Sequence, residues 1–460
     1  MDYKQFFYMI KNKRIAMCGI GVSNTPLIIK FLELGAKVYA CDRRERHQIG
    51  NIADELESAG AKLILGENYL KNLDVDIIFR TPGMNFGLPE LVEARKRGIA
   101  VTSEMEVFFD LCPAPIFAVT GSDGKTTTTT LIAEMLKAEG KTVHVGGNIG
   151  HPLLPEIEKI HPEDVVVAEL SSFQLISMRK SPDVAVVTNI SPNHLDIHKD
   201  MDEYVSAKLN ILIHQNAFSR TVLNDDCEIT KGFSKYVRGQ DMRFSMQHKL
   251  YNGAWLGDDG DICVSFCGDT IKVMNRKDIA ILGDHNVANY LAAISAVFGH
   301  VSPENIKKVA REFKGVEHRI EFVRELDGVK YYNDSIATSP TRTIAVLNAF
   351  DKRVILIAGG YDKHIPFDPL VPVILDKVKI LILTGPTAEQ IESAVKSHPD
   401  YNTEEIKIFR SENLEQSVRI ARQNAEPGDI VTLSPACASF DAYPNFAARG
   451  NHFKQLVNSL

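Results

Sequence analysis

The chain has 460 residues, long for a single domain, and its 44% apolar and 24% charged residues suit a protein built around real cores. A net charge of −7 and a pI near 6.1 argue against nucleic acid or an acidic membrane surface as the main partner. The seven cysteines (Cys18, Cys41, Cys112, Cys227, Cys263, Cys267 and Cys437) are scattered and odd in number, which fits reduced thiols better than a disulfide framework. Cys263 and Cys267 have no second pair to complete a zinc site. Met1–Lys13 lacks the apolar core of a signal peptide and no later run approaches a membrane span, so the expectation is a cytoplasmic protein without membrane insertion.

The first hundred residues alternate strand and helix. Arg14–Cys18 enters Gly19-Ile20-Gly21-Val22-Ser23-Asn24, a helix follows around Pro26–Leu34, and Lys37–Cys41 ends at Asp42. This βαβ unit suits a nucleotide or sugar nucleotide, with Arg43 and Arg44 near enough to hold phosphate. A purely structural turn fits equally well, because Asn24 stands where the dinucleotide fingerprint has its third glycine. Asp76–Phe79 then runs into Arg80-Thr81-Pro82-Gly83, and Pro113 and Pro115 mark a linker.

The organising stretch is Thr120-Gly121-Ser122-Asp123-Gly124-Lys125-Thr126-Thr127, between the strand Ile116–Val119 and the helix Leu131–Lys137. Strand, glycine turn and helix N-terminus make a phosphate cradle, with Lys125 adding positive charge and Thr126 a hydroxyl for Mg²⁺. Val119 replaces the first glycine of the longer phosphate-loop pattern, and a glycine turn with a surface lysine is the plain alternative. Downstream, Asp164–Ala168 ends at Glu169, which is either a metal-binding acid or a cap for the next helix. Val184–Thr188 leads to His194 and His198, four residues apart. A zinc pair is conceivable there, but a single histidine, His194, serving Mg²⁺ or substrate is preferred. Lys208 lies in a helix-like segment Asp202–Ile213, and periodicity cannot tell it from a surface lysine. Short β-like runs over 219–280 suggest a small antiparallel insertion. Gly283–Asn289 opens a helix Tyr290–Phe298, where an asparagine at the start is often a cap but Asn289, three positions on, could reach a base edge.

Gly315–Arg319 reads as a second hinge, beyond which the alternation restarts. Tyr332 leads to Asn333-Asp334-Ser335, Ala358 to Gly359-Gly360-Tyr361-Asp362-Lys363, and Leu433 to Ser434–Phe440. Near-continuous apolar strands separated by helices mean parallel sheets covered on both faces, with ligands at the carboxyl ends of the strands.

Three α/β modules with this cradle at the head of the middle one resemble the Mur ligases. Thr120–Thr126 is similar to that family's short TGxxGK[TS] loop. Gly147-Asn148-Ile149-Gly150, Glu169–Leu175 and Asn333-Asp334-Ser335 carry the likeness across the chain. The tail Ser434–Asp441, with Asn445-Phe446 and Arg449-Gly450, resembles the family's D-glutamate-adding branch, as does Thr81-Pro82-Gly83. The resemblance implies a three-domain α/β fold. Residues 1–104 would form a Rossmann-like UDP-sugar domain, and 105–315 a central ATPase-like, mostly parallel sheet. Residues 316–460 would form a Rossmann-like amino-acid domain. It implies a monomeric, ATP-dependent ligase joining D-glutamate to UDP-N-acetylmuramoyl-L-alanine through an acyl phosphate, in cytoplasmic peptidoglycan precursor synthesis.

By the same resemblance, Val22, Ser23, Asp42, Arg44 and Gly83 meet the UDP-sugar. Gly121, Ser122, Asp123, Gly124, Lys125, Thr126 and Thr127 hold ATP, with Asn289, Arg319 and Asp334 at adenine, ribose and phosphates. Thr126, Glu169, His194 and Lys208, the last carried as a carbamate, bind two Mg²⁺ ions. Asn148 and Ser171 serve the acceptor end of the UDP-sugar. Lys125, His194 and Lys208 are the catalytic set, and Thr338, Lys363, Ser439 and Phe446 grip D-glutamate. One departure stands out: Ile336 follows Ser335 where many relatives have lysine, shifting charge onto Lys363. A sister ligase or folylpolyglutamate synthase would share the cradle but not the tail. A nicotinamide oxidoreductase on Gly19–Asn24 leaves Lys125 and Glu169 unexplained. A degenerate nucleotide-binding scaffold would keep binding without turnover.

Overall fold

Apolar runs without alternation become central parallel strands, because a strand covered on both faces has no side that water requires to be polar. In the computed structural model, which describes residues 1–21, 23–192 and 198–460, such runs build three sheets within two compact units. One unit comprises 1–278 with 285–311, the other 279–284 with 312–460.

The first unit opens with β1 (Arg14–Cys18), β2 (Lys37–Asp42), β3 (Lys62–Leu65), β4 (Ile77–Arg80) and β5 (Ala100–Thr102), all parallel in the order β3-β2-β1-β4-β5. The order reverses between β1 and β4, so the turns after these two strands border one crevice. The helix predicted at Pro26–Leu34 spans Thr25–Glu33.

The helix Glu104–Leu111 leads to the second sheet. Its strands are β6 (Ile116–Thr120), β7 (Val143–Gly147), β8 (Val165–Glu169), β9 (Val184–Val187), β10 (Arg220–Asn224), β11 (Gln240–Ser245), β12 (Gly253–Leu256), β13 (Asp261–Phe266) and β14 (Asp269–Asn275). They lie in the order β14-β13-β12-β11-β10-β9-β6-β8-β7. The expected antiparallel insertion is thus an extension of this sheet: β10, β11 and β12 continue it in parallel, and antiparallel pairing begins only at β12–β13. One apolar cluster runs from Phe31 and Phe79 of the first sheet's layer through Phe108 to Leu154 and Val187 of the second, which makes one body of the two.

The second unit is a six-stranded sheet of β15 (Glu321–Leu326), β16 (Val329–Asn333), β17 (Val354–Ala358), β18 (Val378–Thr384), β19 (Lys407–Ser411) and β20 (Ile430–Leu433). The order is β15-β16-β20-β17-β18-β19, parallel except for the β15–β16 pair. No helix among the described residues is long and apolar enough to cross a membrane.

Candidate active site

Strand β6 delivers the chain into the cradle, and the helix Lys125–Ala138 leaves it. Gly121 (φ +153°) and Gly124 (φ +77°) stand where side chains do not fit: a Cβ on Gly121 would strike Thr188 Oγ1, and one on Gly124 would strike Asn289 Oδ1. The turn is pinned from the tip of β9. Ser122 N–H donates to Asn189 O at 2.9 Å, Asp123 N–H to Asn189 Oδ1 at 3.0 Å, and the Thr188 hydroxyl to Asp123 O at 2.6 Å. Thr126 and Thr127 occupy the first helical turn, half-buried and buried respectively. The helix predicted over Tyr290–Phe298 starts six residues earlier. The helix spans Asp284–Val297, and Asn289 is buried inside it, accepting from Thr128 Oγ1 and donating to Asn286 Oδ1. A helix begun at Asp284 places its side chain against the cradle.

Lys208 is no surface residue. The helix Met201–Ile213 turns it inward to 2% exposure, where Nζ donates to Gly121 O at 2.7 Å and Thr120 Oγ1 at 3.3 Å. Lys125 Nζ donates to the same Gly121 carbonyl at 3.0 Å and to Ser122 O at 2.8 Å. Burial, reinforced by the neighbouring Lys125 charge, pushes the Lys208 ammonium down to about 7, against the pull of Glu169 and Asp123. Near neutral pH a large share of it is therefore the free amine.

Glu169, at the end of β8, is 1% exposed. Asn148 Nδ2 donates to its Oε1 at 2.7 Å, and Oε2 has no hydrogen-bond partner among the described residues. A buried carboxylate oxygen without a donor, beside a phosphate cradle, suits a divalent cation. It is not the cap of the next helix. Ser171 fills that role for Ser172–Leu175, in a capping box where Gln174 N–H donates to Ser171 Oγ and Ser171 N–H donates to Gln174 Oε1. His194 lies outside the described residues. His198 is engaged structurally: it bonds Ser172 Oγ at 2.8 Å, faces Glu203 and stacks on Phe173 with ring centroids 5.0 Å apart.

Around the first-sheet crevice, Asp42 accepts Ile20 N–H at 2.7 Å and Arg44 N–H at 2.9 Å, while Arg44 Nη2 reaches Ile20 O at 2.5 Å and Asp42 Oδ2 at 2.9 Å. Burial opposes the Asp42 charge, but the Arg44 and backbone bonds outweigh it and hold the carboxyl below its ordinary range. Asn24, in the missing glycine's place, donates to Cys18 O and Gly19 O and so clamps the turn itself. Ser23 is half-buried in that turn and Gly83 is exposed in the neighbouring one, while Val22 lies outside the described residues.

In the second unit, Asp334 follows β16 at 1% exposure, accepting Ile320 N–H and the Ser434 hydroxyl. Burial pushes its carboxyl up to about 7 against those bonds and the nearby Arg319. Lys363 Nζ donates to Thr338 O at 3.3 Å, and Arg342 Nη1 to Ile336 O at 3.1 Å, so two cations flank the turn in which isoleucine replaces lysine. Ser439 is buried near this end, where Tyr361 bridges to Ala438, and half-buried Phe446 opens the helix Phe446–Ser459.

Sequence reasoning assigned no role to Tyr204 or Arg449. Tyr204 Oη bonds Ser122 Oγ at 3.0 Å, and its ring lies 4.8 Å from Lys208 Nζ. The four-residue spacing on one helix was the available signal. Arg449, three residues after Phe446 on its helix, is 5% exposed and donates to Ser335 O and Oγ, Cys437 O and Ala438 O, each at 3.0 Å.

Comparison with known proteins agrees with this geometry. Residues 119–297 match the Mur ligase middle domain, and 318–437 match the Mur ligase glutamate ligase domain. The chain is 52% identical over 460 residues to a UDP-N-acetylmuramoylalanine–D-glutamate ligase of Clostridium botulinum strain Hall, covering 100% of this chain and 99% of that one. It is 54% identical over 463 residues to the ligase of the same name from Acetivibrio thermocellus, covering 100% and 98%. The fold is shared with a UDP-N-acetylmuramate–alanine ligase of Thermotoga maritima, at TM-score 0.58 and 18% identity over 97% of this chain and 99% of that chain.

Proposed function

The chain belongs to the Mur ligase family, and from that premise we propose how its residues divide the work of adding D-glutamate to UDP-N-acetylmuramoyl-L-alanine with ATP. The observation that carries the proposal is the meeting of Lys125 and Lys208 at one carbonyl, Gly121 O, with buried Glu169 close by.

The division of labour follows the three strand-end clusters, in domains 1–104, 105–315 and 316–460. Val22, Ser23, Asp42, Arg44 and Gly83 take the UDP end of the acceptor, and Asn148 and Ser171 its alanyl end. Lys125 and the amides of Gly121–Thr127 hold the ATP phosphates, with Asn289 toward the base. Arg319 and Asp334 complete nucleotide binding. The alanyl carboxylate oxygen attacks the γ-phosphorus and ADP departs, leaving an acyl phosphate. The amine of D-glutamate, held by Thr338, Lys363, Ser439 and Phe446, then attacks the acyl carbon. It loses a proton as phosphate leaves.

The protein's task is charge neutralisation and positioning. The orphaned Glu169 oxygen fits Mg²⁺, with Thr126, His194 and Lys208 as further ligands and two ions in all. Bound Mg²⁺ would lower the electrostatic cost of crowding phosphate oxygens against a carboxylate. The neutral Lys208 amine is the form that adds CO₂, forming an N–C bond and releasing a proton, and the carbamate would turn a cation into an oxygen ligand. We place the enzyme in the cytoplasm as a monomer.

The test is phosphate release with ATP, Mg²⁺ and UDP-N-acetylmuramoyl-L-alanine against D-glutamate, L-glutamate, L-alanine, L-lysine and meso-diaminopimelate. Release with D-glutamate alone is expected. Release with another amino acid moves the chain to a sister activity, and no release revives a degenerate binding protein.

A further inference from the structure

Arg80 lies at the end of β4 and is 1% exposed, one of the largest fully buried side chains of the molecule. Nη1 donates to Pro82 O at 3.4 Å and Met84 O at 3.3 Å, closing over Thr81-Pro82-Gly83. Nη2 crosses to the second sheet's side, donating to Phe173 O at 3.0 Å and Ser177 Oγ at 2.6 Å. Glu106, on the helix joining the two sheets, has its carboxyl raised by burial and lowered by Ser103, Ser177 and Arg80. All four acceptors of the guanidinium are neutral. For stability alone this is a poor use of a buried charge, since an apolar side chain of similar volume commonly does as well or better. What the planar fork supplies is a fixed distance between two backbone segments. One is the turn assigned to the UDP end of the acceptor. The other is the segment Phe173–Ser177, which follows directly on Ser171, a residue assigned to its alanyl end.

We propose that Arg80 is a positioning residue that sets the span between the two ends of the UDP-sugar-alanine site. This rests on the functional reading above. A ligand reaching both ends feels the span, whereas UDP alone does not. Arg80→Gln is therefore expected to weaken binding of UDP-N-acetylmuramoyl-L-alanine at least tenfold by calorimetry while leaving UDP within twofold. In turnover it raises KM for the acceptor and leaves KM for ATP and D-glutamate within twofold. Ser177→Ala, which removes the 2.6 Å bond from Arg80 together with the hydroxyl's contact to Glu106 and leaves the guanidinium in place, gives the same split about threefold and covers the case in which Arg80→Gln does not fold. Equal loss for both ligands, or lost thermal stability with every KM unchanged, overturns the proposal and leaves Arg80 a structural residue. Wild-type protein runs in the same assay. If it fails to use D-glutamate with this acceptor, the functional reading falls and takes the proposal with it. If it succeeds while both variants bind like wild type, only the proposal falls.

Discussion

Both units bury a cation on backbone carbonyls, and the two cases part at the side chain. Lys208 donates to Gly121 O and Thr120 Oγ1, while Arg449 donates to Ser335, Cys437 and Ala438. Burial lowers both, Lys208 to about 7 and Arg449 to about 10. At neutral pH that is enough to strip the lysine and not the arginine, whose guanidinium stays charged. Burial thus yields a reactive amine in one unit and a permanent clamp in the other. The lysine is built to change state and the arginine to hold strand-end loops together.

The hardest blow to this contrast is to make Lys208 permanent. Lys208→Arg keeps a cation in place but removes the titratable amine, and turnover is expected to fall on the order of 10³-fold or more. Lys208→Ala should fall as far and recover partly with added short-chain carboxylic acids, which offer the missing oxygen ligand. An arginine variant with a tenth of wild-type activity would show that charge, not the amine, is what matters there.

Next in size is the other lysine at Gly121. Lys125→Ala is expected to lose on the order of 10²–10³ in kcat, about 3–4 kcal/mol of transition-state stabilisation, with acceptor binding nearly intact. It also removes the charge that helps push Lys208 down. Unchanged kcat would dismiss the cradle as the site of phosphoryl transfer.

How much of this was written in the sequence follows from what local pattern can encode. The parallel strands, their polar tips and the cradle were legible because apolar runs and Gly–Gly–Lys spacing are local. Burial of Lys208 was not, since its helix has apolar neighbours on more than one face and only the packing of that helix against β6 decides which way Nζ points. The start of the helix carrying Asn289 was set too late, because it begins at Asp284, only two residues after the apolar Ile281-Leu282 pair and without a strong stop-and-start signal. Asn24 looked like a defect in a glycine fingerprint until its amide was seen to bond Cys18 and Gly19. Arg449 stood in a recognised tail, yet two of its four bonds go to Ser335, 114 residues away in sequence.

The arginine side of the contrast is tested by stability. Arg449→Lys retains charge but cannot reproduce the fork, leaving buried carbonyls without donors, a loss of about 2–3 kcal/mol. Trp255, the sole tryptophan, belongs to the first unit, so its fluorescence transition in urea should hold while the circular dichroism transition moves to lower urea. Coincident shifts of both signals would mean the two units unfold as one.

The smallest and most discriminating effect is the pH slope of stability, measured on CO₂-depleted protein. For Lys208 the folded value is about 7 and the unfolded value 10.5. Between them the unfolded chain holds a proton that the folded chain lacks, so its contribution is full above 10.5 and is lost as pH falls toward 7. From pH 7.5 to 8.5 wild type should therefore gain about 1 kcal/mol relative to Lys208→Met. Asp334 runs the other way: its folded value is raised from 3.8 to about 7, so its contribution is present below 3.8 and is lost as pH climbs through 7. From pH 5 to 6 wild type should lose about 1 kcal/mol relative to Asp334→Asn. From pH 5 to 8.5 Arg449 stays charged in both states and should contribute no slope. Parallel stability curves for wild type and Lys208→Met would mean that Lys208 keeps its proton in the fold, and the two buried cations would then be alike after all.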